Sequence, residues 1–156
     1  MRTILLIFLV VACAAGTAAR TRTTQSGLKS NTAPMERIDN DSTATLDDLA
    51  GSLTLRGFNK RASDSRETFF VTNNTTHRIT HVRLLLRYYA VTGERLHERE
   101  VSVEVNLQPG ETQLASVRSF DTQRRFYYYA GPKPRKSATP FRVAFRLLGY
   151  DIPVGR

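Results

Sequence analysis

The strongest constraint on the fold is a set of apolar residues recurring at every second position, in short runs separated by turn chemistry. Across residues 79–90, Val82, Leu84, Leu86 and Tyr88 fall on one side, and Arg83, Leu85, Arg87 and Tyr89 on the other. Val101, Val103, Val105 and Leu107 alternate with Ser102, Glu104 and Asn106, and Phe141, Val143, Phe145 and Leu147 flank Arg142 and Arg146. Successive side chains of an extended strand point to opposite faces, so a period of two marks half-buried β-strands and not helices of period 3.6.

Turn signals recur at intervals of roughly ten residues, the spacing of an all-β fold. Asn73-Asn74-Thr75-Thr76 is a turn, because Asn tolerates left-handed backbone and Thr bonds locally. Thr92-Gly93 closes a hairpin, and Gln108-Pro109-Gly110-Glu111 has the Pro-Gly centre of a type II turn. Residues 131–140, with three prolines, form a loop. Seven strands are expected, at 52–58, 67–72, 79–90, 96–107, 112–120, 124–129 and 141–148. Leu96 is out of phase with Val101 to Leu107, so a bulge is expected near Arg99. The sum is an antiparallel β-sandwich over residues 51–156. With no Trp and one Cys, a true antibody-type immunoglobulin domain is disfavoured.

Residues 1–50 have none of this pattern. Arg2 precedes an apolar run from Ile4 to Val11, and small residues follow to Ala19, the layout of a secretory signal peptide over residues 1–19. The run is short for a membrane span, which takes about 20 apolar residues. Two processing sites compete. Thr17-Ala18-Ala19 suits cleavage before Arg20, whereas Val10-Val11-Ala12-Cys13 resembles a bacterial lipobox and makes Cys13 a candidate for lipidation. Residues 20–50 are Thr-, Ser-, Asn- and Asp-rich with scattered apolars, and read as a disordered linker. The expected location is therefore extracytoplasmic: periplasmic or secreted, or an outer-membrane or cell-surface lipoprotein.

The formal charge is +9, and it belongs to the domain. Residues 51–156 hold eighteen basic and nine acidic side chains, while the linker is nearly balanced. Such a charge suggests a polyanion, and export argues against that polyanion being nucleic acid. Arg124-Arg125-Phe126-Tyr127-Tyr128-Tyr129, followed by Lys133, Arg135 and Lys136, is the densest basic and aromatic cluster. Tyr stacks on sugars and Arg forks onto carboxylates or phosphates, so these residues are the first binding candidates. Arg83, Arg87, Arg142 and Arg146 are the second. If their two strands are neighbours, the four make one basic sheet face.

Catalytic signals are missing. There is no Gly-rich phosphate loop, GxSxG, HExxH or EF-hand spacing. His77 and His81, four apart on a strand, would stand about 13 Å apart, too far to share a metal. Asp121 and Asp151 would need to be brought together to do acid–base work. No catalytic residue, cofactor or metal is expected, and an enzyme without a recognisable motif is the remaining alternative.

Asn73-Asn74, Ile79, Val82, the long apolar strand, Gly93 and Leu107-x-Pro109-Gly110-Glu111-Thr112 together resemble the FxLYD group of bacterial extracytoplasmic modules, over about residues 70–118. They more loosely resemble the late-embryogenesis-abundant type 2 sandwiches. The naming motif would fall on residues 86–90, where Tyr89 matches, with Gly93 at the matching offset. The resemblance implies an immunoglobulin-like sandwich without catalytic residues. The expected function is that of a secreted or envelope-tethered non-catalytic module making contacts with a protein or glycan of the cell envelope. The alternative is a basic polyanion-binding module using the Arg/Tyr surface.

Overall fold

The computed structural model describes residues 33–38, 49 and 51–154. The expected signal peptide, Cys13 and most of the expected linker lie outside the described residues.

The chain is all-β: two sheets face each other as a sandwich, without closing into a barrel. The elements are β1 (Glu36–Arg37), β2 (Leu53–Asn59), β3 (Arg66–Asn73), β4 (Ile79–Ala90), β5 (Arg95–Leu107), β6 (Thr112–Arg118), β7 (Phe126–Tyr128) and β8 (Thr139–Asp151). The larger sheet runs β1-β8-β4-β5, with β7 also on β8; the smaller runs β2-β3-β6. The alternating apolars meet between the sheets. Leu53, Leu55, Phe58, Phe69 and Val71 come from the smaller sheet, and Val82, Leu84, Leu86, Val103, Val105, Phe141 and Val143 from the larger. A buried Leu or Phe contributes roughly 1.5–3 kcal/mol, so this interface stabilises the fold without a disulfide.

Three details differ from the sequence reading. The bulge lies at Leu96, which is skipped where Tyr88 pairs with His97 and Tyr89 with Arg95, rather than near Arg99. Two pairings are parallel: β7 with β8, and β1 with β8. The loop after β7 crosses over the end of the sandwich instead of forming a hairpin, which is how a chain reaches a parallel neighbour. The third difference concerns the expected linker, in which residues 33–38 join the fold. Pro34 bridges Arg56 of β2, Met35 donates its N–H to Leu55, and Ile38 donates to Phe145. This strap crosses from the edge of one sheet to the edge of the other, and buries Met35 in the gap.

The antiparallel register gives the sandwich two ends. Loops 60–65, 91–94 and 119–138 share one end, and the 74–78 and 108–111 turns share the other. Gly93 (φ 96°) and Gly110 (φ 77°) take the left-handed backbone their turns require.

Candidate functional site

The first end is organised by a buried ion pair. Lys60 follows β2, and its Nζ donates to Asp121 Oδ2 at 2.9 Å, to Phe126 O at 2.8 Å and to Arg61 O at 3.2 Å. Asp121 in turn accepts the N–H groups of Arg125 and Phe126. Burial pushes the Asp121 carboxyl upward, but the Arg125 N–H, the Lys60 ammonium and the Phe126 N–H outweigh it and hold it below the usual range. Every donor on Lys60 is satisfied, which is what allows a charge to be buried at all. The pair therefore fixes two chain segments against each other.

Those segments carry cations. Arg61 is next to Lys60, and Arg124 is next to Arg125 with a left-handed φ of 57°, a conformation that strains a side-chain-bearing residue. Together with Lys133, Arg135 and Lys136 they line an open cleft of about 820 Å³. Pro132 and Pro134 stiffen its third wall, and Ser63 and Ser137 add hydroxyls. The lining holds five cationic side chains and no carboxylate.

The sequence-predicted residues divide accordingly. Arg124, Lys133, Arg135 and Lys136 come together at the cleft; Arg61 and Ser63 were not foreseen, because they lie some sixty residues earlier in the chain. Arg125 is exposed and bonds Gln123 beside the cleft. Tyr128 is a core residue with its ring 5.0 Å from Phe58, so it is not a ligand platform. Tyr127 is half-buried, and Tyr129 is half-exposed.

The second set of arginines does lie on neighbouring strands. β4 and β8 pair, with Arg146 opposite Leu85 and Arg142 opposite Tyr89. The face they share is of mixed sign, however. β5 places Ser102, Glu100 and Glu98 opposite Arg83, Leu85 and Arg87, and β1 adds Glu36 opposite Ala144. Arg87 is bound to Glu98 and Arg142 to Glu36. The single basic face expected from the sequence is thus broken by acids that flank it on both sides.

A second buried network was missed. Glu67 is fully buried between the sheets and accepts the Tyr88 hydroxyl at 2.6 Å, the Phe120 N–H at 3.0 Å and Arg99 Nη2 at 3.2 Å. Arg99 also donates to the carbonyl of Arg118 at 2.5 Å. Burial, then the Glu67 charge, push the Tyr88 hydroxyl far above its ordinary value. The signal was present, since Glu67 is in phase with inward Phe69 and Val71, and Arg99 with inward Val101. All of its members are partnered, so this network joins the sheets rather than offering a reactive group.

Asp121 and Asp151 lie at opposite ends of the sandwich, Asp121 beside Phe126 near the start of β8 and Asp151 at the end of β8 beside His81. Among the described residues no group of three His, Cys, Asp or Glu could hold a metal ion. What the geometry offers is an open, cationic cleft at one end of a β-sandwich, with two of its walls tied by the Lys60–Asp121 pair. Compared with known proteins, the chain matches no family model, no curated protein and no solved structure.

Proposed function

We propose that this chain is a non-catalytic, secreted or envelope-tethered β-sandwich module that binds an acidic partner through the basic cleft. The observation that carries the reading is the lining itself: Arg61, Arg124, Lys133, Arg135 and Lys136, with no carboxylate among them, with the Arg61 and Arg124 walls held together by Lys60 and Asp121. Like charges gathered on a rigid surface repel one another, and an anion relieves that repulsion while replacing released counterions. The resemblance to FxLYD-type modules points the same way, towards a sandwich acting by contact. The cationic cleft favours the polyanion-binding form of this reading over a contact surface without charge preference. Retention on immobilised heparin tests it. Affinity should fall linearly with salt on logarithmic axes, and the double variant Lys133→Ser, Arg135→Ser should flatten that slope by about 2. Equal retention of variant and parent would refute the assignment.

A further inference from the structure

The strap shows on which side the N-terminal segment leaves the domain. Pro34 pairs antiparallel with Arg56, and Ala33 accepts the N–H of Gly57. Followed backwards from Pro34, the chain therefore runs toward the end of β2, where Lys60 and Arg61 begin the cleft. Ala33, opposite Gly57, lies on that side, about four residues of strand, or roughly 13 Å, from Arg61.

The charge is distributed along the same axis. Outside the buried Lys60–Asp121 pair, loops 60–65 and 119–138, the 91–94 turn and Arg95 at the start of β5 hold Arg61, Arg95, Arg124, Arg125, Lys133, Arg135 and Lys136 against Asp64, Glu94 and Glu98, the last 4.0 Å from Arg95. The turns at the other end, 74–78 and 108–111, hold Arg78 against Glu111. The basic end also presents two half-exposed apolar side chains, Val91 at 50% and Tyr129 at 51%. They flank one point of the larger sheet, since Ala90 pairs with Phe141 and Tyr129 donates its N–H to Phe141.

We propose that this basic end seats on a membrane surface of anionic phospholipid headgroups. The inference rests on the cleft reading above and names its acidic partner. Two of the seven cations, Arg95 and Arg125, lie outside the cleft lining, so the charge covers an end of the molecule rather than lining one groove. A planar array of phosphates engages the whole end, whereas a single glycan strand in the cleft leaves those two unused. Tyr suits this position, because its ring sits at headgroup level with the hydroxyl in water. A lipid on Cys13, one of the two processing outcomes read from the sequence, would tether the chain on the side of that basic end.

The test is cosedimentation of the full chain with phosphatidylcholine vesicles, with and without about 30 mol% phosphatidylglycerol, alongside heparin retention. The neutral vesicles measure binding that does not depend on headgroup charge. Anionic vesicles should bind more tightly, and the triple variant Lys133→Ser, Arg135→Ser, Lys136→Ser should lose about a hundredfold on them. Arg78→Ser, at the opposite end, should bind like the parent. Heparin binding without preference for anionic vesicles would overturn the membrane inference and leave the cleft reading standing. Absence of both would overturn both. Anionic-vesicle binding undiminished in the triple variant would also overturn the inference.

Discussion

Replacing Lys60 with Met tests the buried pair that holds the cleft. The substitution keeps the aliphatic stem and removes the ammonium, leaving the Asp121 carboxylate without its cation. Breaking a buried pair by removing one partner costs about 3–5 kcal/mol. Here Asp121 keeps the N–H groups of Arg125 and Phe126, so the lower end, about 3 kcal/mol, is expected. For a domain whose total stability is about 5–15 kcal/mol, that is a large loss. With a urea slope of about 1–3 kcal/mol per molar, the midpoint should fall by about 1–3 M. Far-ultraviolet circular dichroism can follow it, since the chain has no Trp. The pH dependence has a fixed sign. The folded Asp121 carboxyl titrates below its unfolded value, so its pairing stabilises the fold above the unfolded value, about 3.9, and that stability is lost as pH falls through the folded value. The difference between parent and variant should therefore shrink as pH drops below about 4. A loss under about 1 kcal/mol at neutral pH, or one that grows on acidification, would refute the pair as the clamp.

Met35→Ala should cost about 2–5 kcal/mol in thermal unfolding, because Met35 fills the gap under the strap; a cost below about 0.5 kcal/mol would make the strap an accessory. Tyr88→Phe should cost about 1–3 kcal/mol by leaving Glu67 short of a donor. Spectrophotometric titration should show the Tyr88 hydroxyl still protonated above its ordinary range, so that Tyr88→Phe leaves the curve through that range unchanged. Because the folded hydroxyl is raised, the stability it contributes is present below about pH 10 and lost at higher pH. Arg124→Gly should relieve the left-handed strain and raise stability by up to about 1 kcal/mol, while weakening heparin binding; a variant that is less stable and binds as well would contradict both roles given to Arg124.

The parts of the fold that were legible are those written in a period of two. Ile79–Ala90 lies where the alternation puts it, and the Val101 to Leu107 and Phe141 to Leu147 faces point into the core as read. The strap was not legible, because two residues of strand have no period and Met35 and Ile38 read as scattered apolars in a polar segment. The bulge was misplaced by a few residues, since Leu96 breaks the phase without marking where the register slips. The site was legible where it is local. Lys133, Arg135 and Lys136 stand together in the sequence and in space, while Arg61 is brought beside them by the fold, next to Lys60 and its pairing with Asp121. The adjacency of β4 and β8 matched the conditional reading of the two Arg rows. The acids of β5 and β1 that balance those rows depend on strand order, which alternation does not encode.

The central claim is that the cationic cleft is the binding surface, and its most direct test is a map of amide chemical-shift changes on titration with a short heparin oligosaccharide. The changes should concentrate at Arg61 to Asp64, at Arg124 and at Lys133 to Ser137, and should fade as salt is raised. Changes centred instead on the β4–β8 face, around Arg83 and Arg146, with the cleft amides unmoved, would contradict the account.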